Sequence, residues 1–386
     1  MKKAGIFGGT FNPPHIGHIE SVMAAKQQLD LDLLYLIPTG HPPHKPLPED
    51  SPEPEQRLSM LKLASRALSE TVVSDMETAR GKISYTADTL HELREKYPDT
   101  QYWLIMGGDM FLSIEQWYRV DYIFRHSTIA VFARAQEKEK IKAHMKKLGL
   151  EYGAKTVYIR TKPLDISSTE LRRMLKAREG LEFLQPDIYA YIVSNRLYGV
   201  KPDFRWLLSM SLKRHDAKRI PHVLGTEQEA VKLAERWGGD PDEARTAAIL
   251  HDITKNLKQD EQLLLCEKYG IIIDSVEIKT EKLLHAKTGA RVAYEEFGIS
   301  QNVYDAIFWH TTGKADMSLL EKILYLADYI EPTREFDGID RLRDLCYRDL
   351  NKALKLALSM SILEMESRGI VPHPRSSEAL RFLDDA

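Results

Sequence analysis

The stretch GGTFNPPHIGH, residues 8–18, places two histidines three residues apart behind a Gly-Gly turn. The apolar run KAGIF before it is typical of a buried strand, and the apolar spacing of IESVMAAKQQL after it indicates a helix. Glycines let backbone N–H groups approach a ligand closely, and a helix N-terminus attracts anions, phosphates above all. His15 and His18 should lie near that helix start and face the ligand. The stretch therefore predicts a phosphate site rather than a turn with two solvated histidines.

A second segment, DISSTELRR, also has the pattern of a helix start. Ser167 and Glu170 fit a capping box, in which each side chain satisfies a backbone N–H group of the first turn. Capping alone would explain the serines, but it gives no reason for Arg172, which lies one turn further along. We expect Arg172 to add positive charge near a polyphosphate.

Histidines and carboxylates recur in the second half of the chain in a pattern that suits a metal. They are His222, the adjacent pair His251 and Asp252, His285, His310 and Asp328. Adjacent residues of a helix point about 100° apart, so that His251 and Asp252 can hold one cation from two sides. Asp328 interrupts the apolar face of LLEKILYLADYI, where a carboxylate needs a partner. Mixed histidine and carboxylate ligands suit iron, manganese or zinc, as one ion or two.

The elements that must position these residues differ between the two halves. Over the first 200 residues, helical patterns alternate with the predicted strands KAGIF, LDLLYLIP, TVVSDM, QYWLIMG, STIAVFAR and KTVYIR. This alternation predicts a doubly wound parallel sheet that binds ligands beyond the carboxyl ends of its strands. After a predicted linker, LYGVKPDFRW, we find helical patterns and no convincing strand. We therefore predict an α/β domain over residues 1–200 and an all-α domain over residues 201–386.

The composition fits a globular protein of two domains. The chain has 386 residues, more than one ordinary domain, and hydrophobic residues make up 43% of it. Its net charge is −3 and its basic residues are spread out, which argues against a nucleic-acid or membrane-surface protein. Two cysteines provide no disulfide framework. Without a signal-peptide core or an apolar run of membrane-spanning length, we expect a cytoplasmic protein.

The residues His15-Ile16-Gly17-His18 resemble the [HT]-x-G-H signature of the nucleotidyltransferase superfamily, and ISSTELR resembles its I-S-S-T-x-x-R motif. Within that superfamily the first 200 residues are most similar to bacterial nicotinate-mononucleotide adenylyltransferases. Further matches are PPHKP, SYTADTL, GGDM, QWYR and FAR. The resemblance implies a Rossmann-like domain that transfers AMP from ATP to nicotinate mononucleotide, with Mg²⁺ accompanying the leaving pyrophosphate.

The same resemblance implies which residues contact the substrates. The catalytic residues would be His15, His18, Lys45 and Arg172, which stabilise phosphate charge. The ATP site would comprise Gly8, Gly9, Thr10, Phe11, His15, His18, Gly108, Asp109, Arg134, Ile166, Ser167 and Ser168. The mononucleotide would contact His44, Lys45, Thr86 and Trp117, with the indole stacked on the pyridine ring.

The order H…HD…H…H…D in the second half resembles the HD superfamily of metal-dependent phosphohydrolases. It is most similar to the bacterial branch that hydrolyses diadenosine tetraphosphate symmetrically, over roughly residues 207–367. The resemblance implies that His222, His251, Asp252 and Asp328 hold a first metal, which makes Asp252 a catalytic residue. His285 and His310 would serve a second metal or the substrate phosphates, and Lys255 would contact phosphate.

Two alternatives stay open at this point. The helical half could be a regulatory module that binds a nucleotide without turnover, although its complete set of six ligand candidates argues against that. Alternatively, the substrates could differ: another mononucleotide or phosphopantetheine in the first half, another nucleotide polyphosphate in the second. Trp117 and SYTADTL favour nicotinate mononucleotide. Sequence alone does not decide between nicotinate and nicotinamide, nor does it identify the metal or the oligomeric state.

Overall fold

The computed structural model describes residues 1–43, 46–133, 137–161 and 166–385. The chain divides into two compact units, Met1–Lys201 and Pro202–Ala386, each with its own hydrophobic core. The first unit is an α/β structure, and the described part of the second is built from helices. The predicted fold class is confirmed.

One six-stranded parallel sheet forms the centre of the first unit. Its strands are β1 (Lys2–Gly9), β2 (Leu33–Pro38), β3 (Thr71–Val73), β4 (Thr100–Gly107), β5 (Thr128–Phe132) and β6 (Thr156–Tyr158). They lie in the order β3-β2-β1-β4-β5-β6, and each overlaps one predicted strand. Residues 4–7 of β1 are buried without interruption, because helices cover both faces of such a sheet.

The helices of the first unit connect these strands. They are α1 (Ile16–Leu29), α2 (Pro54–Ala64), α3 (Thr86–Lys96), α4 (Gly108–Leu112), α5 (Val120–His126), α6 (Lys138–Tyr152), α7 (Ser168–Lys176) and α8 (Pro186–Ser194). Short 3₁₀ turns cover Ile114–Gln116, Leu181–Phe183 and Leu197–Gly199. Because β2 pairs with one side of β1 and β4 with the other, the strand order reverses there. A crevice opens at this point, beyond Gly9 and Gly107, where doubly wound sheets bind ligands.

The second unit packs its helices around a single core. They are α9 (Phe204–Leu212), α10 (Ile220–Trp237), α11 (Pro241–Leu250), α12 (Gln259–Tyr269), α13 (Ser275–Lys279), α14 (Glu281–Phe297), α15 (Gln301–Trp309), α16 (Leu319–Ile330), α17 (Ile339–Arg348), α18 (Leu350–Ser367) and α19 (Pro374–Asp385). The core joins buried faces of α10, α11, α14, α15, α16 and α18. Within the described ranges, no helix has both the length and the apolar character needed to cross a membrane.

Two glycines allow the helices of the second unit to approach closely. A β-carbon on Gly225 of α10 would lie 2.6 Å from a carboxylate oxygen of Glu331, the residue after α16. A β-carbon on Gly289 of α14 would lie 3.3 Å from the carbonyl oxygen of His251, at the end of α11. A side chain at Gly225 would therefore displace Glu331, and one at Gly289 would crowd the end of α11.

The segment between the units is shorter than the predicted linker. Leu197–Gly199 form a 3₁₀ turn in which Tyr198 is buried, and α9 already begins at Phe204. Asp203 caps this helix, since its side chain accepts the backbone N–H of Trp206 over 2.8 Å. Only residues 200–203 lie between the two elements.

Because each unit has a separate core, we expect residues 1–201 and residues 202–386 to fold when expressed separately. Circular dichroism should give a mixed α/β spectrum for the first and a helical spectrum for the second, each with a cooperative thermal transition. In the intact chain, a protease of broad specificity should cut first within residues 200–203. A fragment that melts without cooperativity, or early cuts inside one unit, would contradict this division.

Candidate functional sites

A cleft of about 600 Å³ opens at the carboxyl ends of β1 and β4. Its wall includes both strand ends and the first residues of α1, α3 and α7. The predicted site residues in the wall are Gly8, Gly9, Thr10, His15, His18, Thr86, Gly108, Asp109, Trp117, Ile166, Ser167, Ser168 and Arg172. Residues from four separate stretches of sequence thus surround one cavity.

Four predicted residues are not part of the described wall. Phe11 is 1% exposed and packs its ring against those of Phe7 and His18, so that it supports the wall instead of facing the cavity. His44, Lys45 and Arg134 lie outside the described residues.

The two histidine rings of the β1–α1 turn lie against each other, with centres 3.7 Å apart and planes tilted by 34°. The backbone N–H of His15 donates to Nδ1 of His18 over 3.2 Å, which leaves the proton of a neutral His18 ring on Nε2. Burial lowers the pKa of His15 to about 4. Burial, together with the charge of His15, lowers the pKa of His18 well below its usual value. Near neutral pH, both rings are therefore uncharged and each carries one N–H donor.

The start of α7 is bonded directly to the β1–α1 turn. The hydroxyl of Ser168 donates to the carbonyl of Pro13 over 3.1 Å, and Nη1 of Arg172 donates to the carbonyl of Asn12 over 2.7 Å. Ser167 caps the helix by accepting the backbone N–H of Glu170 over 3.1 Å. The predicted capping box is only half formed, because the Glu170 carboxylate pairs with the exposed Arg173 instead.

The cleft is also a meeting point of helix N-termini. Gly17 of α1, Thr86 of α3 and Ser168 of α7 all lie in its wall, each within two residues of its helix start. The first N–H groups of a helix have no intrahelical acceptor, and the helix dipole makes that end partly positive. An anion in the cleft would meet donors from three helices, an arrangement that suits phosphate groups.

A buried arginine supports this turn, and sequence reasoning missed it. Arg57 of α2 is 0% exposed and donates to the carbonyl oxygens of Thr10, Thr39 and Gly40 over 2.9, 2.7 and 3.2 Å. These bonds tie the β1–α1 turn to the end of β2, and burial lowers the pKa of the guanidinium. The helical pattern EQRLSMLKLA contains no signal for this role, since an arginine in such a pattern normally faces solvent.

In the second unit, the six predicted metal ligands converge at one centre. They are His222 on α10, His251 and Asp252 at the end of α11, His285 on α14, His310 at the end of α15 and Asp328 on α16. The ligand atoms of His222, His251 and Asp328 lie within 4.8 Å of one another, as do those of His251, Asp252 and His310. Nε2 of His285 is 3.0 Å from Oδ1 of Asp252.

Three of these histidines have acceptors at Nδ1. The Nδ1–H groups of His251 and His310 donate to carbonyl oxygens three residues earlier, over 2.7 and 2.6 Å. Nδ1 of His222 lies 3.0 Å from Oε1 of Glu331. In neutral rings these bonds leave a lone pair on Nε2, as is usual for metal-bound histidines.

The Nε2 atoms of the four histidines lie close to one another in two pairs. Nε2 of His222 lies 3.3 Å from that of His251, and Nε2 of His310 lies 3.1 Å from that of His285. Carboxylate oxygens of Asp252 and Asp328 surround the same atoms. Because electron-rich atoms gathered so closely repel one another, this donor set fits a divalent cation.

The charge of the centre favours a cation as well. Burial opposes ionisation of Asp252, but the surrounding histidines, His251 above all, hold its pKa well below the usual value. Burial also opposes ionisation of Asp328, and the histidines beside it likewise hold its pKa well below the usual value. Burial and the charge of Lys255 lower the pKa of His285 to about 3, so that this ring stays neutral. Two ionised carboxylates among imidazoles are a charge pattern that a divalent ion can balance.

Glu331 is a further functional candidate that the sequence did not single out. It is 0% exposed, and besides its contact with His222 it accepts the backbone N–H and the hydroxyl of Thr333 over 2.7 and 2.5 Å. The available signal was an acidic residue directly before Pro332, at the end of an apolar helix. Through its contact with Nδ1, Glu331 orients the His222 ring toward the metal centre.

Comparison with known proteins gives the class of each unit. Residues 6–174 match the family model described as Cytidylyltransferase-like, and residues 219–333 match the one described as HD domain. The first unit is therefore a Rossmann-like nucleotidyltransferase domain, and the second contains an HD domain, which implies a divalent metal.

Individual relatives narrow the family. A "Probable nicotinate-nucleotide adenylyltransferase" of Clostridium botulinum (strain Kyoto / Type A2) is 35% identical over 201 residues, 51% of this chain and 100% of that protein. One of Lachnoclostridium phytofermentans is 34% identical over 200 residues, with 51% and 100% covered. The chain belongs, through its N-terminal half, to the nicotinate-nucleotide adenylyltransferase family.

A solved structure resembles the chain as well. It is described as a "predicted HD superfamily hydrolase involved in NAD metabolism" from Clostridium acetobutylicum and is 36% identical, with a TM-score of 0.47. The match covers 48% of this chain and 98% of that one.

We expect Glu331→Gln to weaken divalent metal binding by about 10- to 100-fold, because the neutral amide holds the His222 ring less firmly and lowers its basicity. Isothermal titration of Mn²⁺ into the full chain measures this. Glu335→Gln, an exposed carboxylate of the same loop, is the matched control and should bind as the wild type does. Equal affinities for both variants would contradict the role of Glu331.

Proposed function

We propose that the chain is a bifunctional enzyme of nucleotide metabolism. Its first unit transfers AMP from ATP to nicotinate mononucleotide, giving nicotinate adenine dinucleotide and pyrophosphate. Its second unit hydrolyses diadenosine tetraphosphate symmetrically to two ADP. The first proposal depends chiefly on the joining of the two motif segments in one cleft, the second on the convergence of six metal-binding side chains.

The cleft suits a reaction between two phosphates. A phosphate oxygen of nicotinate mononucleotide attacks the α-phosphorus of ATP, a new P–O bond forms, and the bond from that phosphorus to pyrophosphate breaks. No enzyme nucleophile is required, so catalysis consists of positioning and charge stabilisation. Mg²⁺ bound with ATP supplies part of that stabilisation by neutralising phosphate charge.

Residues around the β1–α1 turn would stabilise the transferring phosphate. His18 offers an Nε2–H donor, which its bond from the backbone of His15 keeps in that tautomer. His15 and the backbone of the turn at residues 8–10 would bind further phosphate oxygens. Arg172 supplies permanent positive charge from the wall, and Lys45, outside the described residues, is proposed to do the same. A fixed donor at the developing charge contributes most in the transition state.

The remaining wall residues would hold the two nucleotides. Thr86 lies at the start of α3, where free backbone donors suit a nicotinate carboxylate, and Trp117 is a half-buried wall residue that can stack on the pyridine ring. The ATP contacts proposed for the rest of the wall are those of Gly108, Asp109, Ile166, Ser167 and Ser168. Arg134 and His44, outside the described residues, complete the proposed set, and Phe11 supports the wall from behind without contacting the nucleotide.

His18→Ala should lower kcat of nicotinate adenine dinucleotide synthesis by about 100-fold, since it removes a donor that acts on the transition state. Trp117→Ala should chiefly raise KM for nicotinate mononucleotide. Both are measured by steady-state kinetics on the full chain with Mg²⁺ and ATP. Because the first unit has its own core, an unchanged thermal transition of that unit, followed by circular dichroism, serves as the folding control. Unchanged turnover for His18→Ala would refute its phosphate role.

The second unit is proposed to be a hydrolase that uses an iron, manganese or zinc site. His222, His251, Asp252 and Asp328 would hold one ion, and His285 and His310 would hold a second ion or bind substrate phosphate. A divalent ion at this centre would supply Lewis acidity and favour the deprotonation of a water molecule. In the proposed reaction, the water oxygen would bond to one of the two central phosphorus atoms, and the bond from that phosphorus to the bridging oxygen would break, so that each half of the substrate is released as ADP.

Lys255 supports a phosphate substrate. Its Nζ lies 3.0 Å from Nε2 of His285 and 3.8 Å from Oδ1 of Asp252, at the edge of the metal centre. A charged amine there can bind a phosphate oxygen next to the bond that breaks. The length of the phosphate chain and the second adenosine are inferred from the resemblance to symmetrical hydrolases.

We expect the full chain, loaded with Mn²⁺ or Fe²⁺, to convert diadenosine tetraphosphate to ADP alone, as resolved by anion-exchange chromatography. ATP plus AMP would show attack at another phosphorus and refute symmetric cleavage. Asp252→Ala should abolish metal binding and hydrolysis because the ion loses a buried charged ligand, yet leave adenylyl transfer intact. A metal-loaded protein that binds nucleotides without releasing any product would favour a regulatory role.

A further inference from the structure

Two arginines, Arg219 and Arg334, form the solvent-facing side of the metal centre. Arg219 directly precedes α10, and Arg334 lies in the loop after α16. Their side chains are 26% and 39% exposed, whereas the carboxylate of Asp252 behind them is 1% exposed. Both arginines are thus more exposed than the Asp252 carboxylate that one of them contacts.

Each arginine is bonded to one of the two carboxylates expected to hold the metal. Nε of Arg219 donates to Oδ2 of Asp252 over 2.8 Å, and its Nη2 contacts the same oxygen. Nη2 of Arg334 donates to Oδ1 of Asp328 over 2.9 Å, and its Nε donates to the carbonyl of the same residue over 3.1 Å. Arg334 also lies 3.7 Å from Glu331. The arginines thus occupy carboxylate oxygens of two residues that are expected to hold the metal.

The loop that carries Arg334 is fixed from behind. Arg343 of α17 donates to the carbonyl oxygens of Ile330, Glu331 and Arg334, each over 3.0 Å. Since its backbone is held in this way, Arg334 can change partners by rotating its side chain alone. The contacts around Arg334 are therefore compatible with two alternative side-chain partners on one backbone.

The charge balance changes when a divalent ion arrives. Two positive charges on the ion neutralise the two carboxylates, so that Arg219, Arg334 and Lys255 are left with less negative charge nearby. Guanidinium groups that lose a carboxylate at a partly buried site need another anion. Phosphate is the anion that a guanidinium binds best, with two parallel N–H···O bonds.

We infer that Arg219 and Arg334 exchange partners: they bind Asp252 and Asp328 in the metal-free protein and the phosphate chain of a nucleotide polyphosphate in the metal-loaded one. The inference deepens the proposed hydrolase function and rests on it for the substrate class. It makes the metal and the polyphosphate cooperative ligands, because each removes a competitor of the other. By linkage, the increase in affinity is the same in both directions.

A purely structural role for these arginines predicts a different outcome. If Arg219 only held Asp252 in place for the metal, its removal would weaken metal binding. If it competes with the metal, its removal leaves metal affinity equal or higher and weakens polyphosphate binding only. Metal affinity and polyphosphate affinity together therefore separate the two roles without any measurement of turnover.

The test uses the full chain with Arg219→Gln and Arg334→Gln, and with Arg348→Gln, an exposed arginine of α17, as the matched control. Calorimetry measures Mn²⁺ binding first. It then measures binding of a diadenosine tetraphosphate with methylene bridges, and of inorganic tripolyphosphate, with and without buffered free Mn²⁺. Wild type and control should bind both probes at least about tenfold more tightly with Mn²⁺. Each active-site variant should lose about tenfold or more of that affinity while it keeps or gains Mn²⁺ affinity.

Two results would overturn the inference: a tenfold loss of Mn²⁺ affinity in either variant, or unchanged probe affinity in both. If a glutamine variant fails to fold, the corresponding lysine variant, Arg219→Lys or Arg334→Lys, replaces it and keeps the positive charge. Each lysine variant should bind the probes less tightly than the wild type and more tightly than the corresponding glutamine variant. Arginine-dependent binding of the probes without ADP release from diadenosine tetraphosphate would refute the hydrolase proposal and still support the exchange of partners.

Discussion

The carboxylate of Asp252 is 1% exposed, and nitrogen atoms of four histidines lie within 3.7 Å of it. A charge buried so deeply is stable only when opposite charge and hydrogen bonds compensate it. This requirement governs the second unit, because α10, α11, α14, α15 and α16 must bring polar side chains to one point while they share one apolar core. Gly225 and Gly289 lie where neighbouring groups approach too closely for a side chain without displacement.

The first unit has a different requirement: the hydrogen-bond donors of its cleft must stay available for a ligand. Strand ends and helix starts have backbone N–H groups without partners in their own element, and a parallel sheet collects them at one edge. Hydrogen bonds hold the framework beneath them: Arg57 donates to three carbonyl oxygens, and Ser168 and Arg172 hold the turn from the other side. Rigid support of this kind keeps donors in position before the ligand arrives, which is what charge stabilisation in a transition state requires.

The two sites therefore differ in their electrostatic character. In the first, neutral histidines and helix ends surround the cleft, and Arg172 adds charge to the wall. In the second, ionised carboxylates and imidazoles form a centre whose negative charge favours binding of a divalent ion, and two arginines lie on its solvent side. Adenylyl transfer and hydrolysis of a dinucleotide polyphosphate are the proposed uses of these two arrangements. The first site presents the positive ends of helices, which suit an anionic ligand. The second presents negative carboxylates, which suit a cation.

The sequence by itself determined the local elements and the residues with obvious chemistry. Short apolar runs predicted the six strands and helical spacing predicted the helical second half, because both patterns are properties of neighbouring positions. Only the tertiary structure decided which charged side chains are buried. Arg57 and Glu331 are buried although they lie in patterns where such residues normally face solvent, and Glu331 contacts a histidine partner 109 residues away. The sequence pattern of a helix shows only which of its own side chains share a face. Whether a charged side chain is buried depends on which residues of other helices pack against that face.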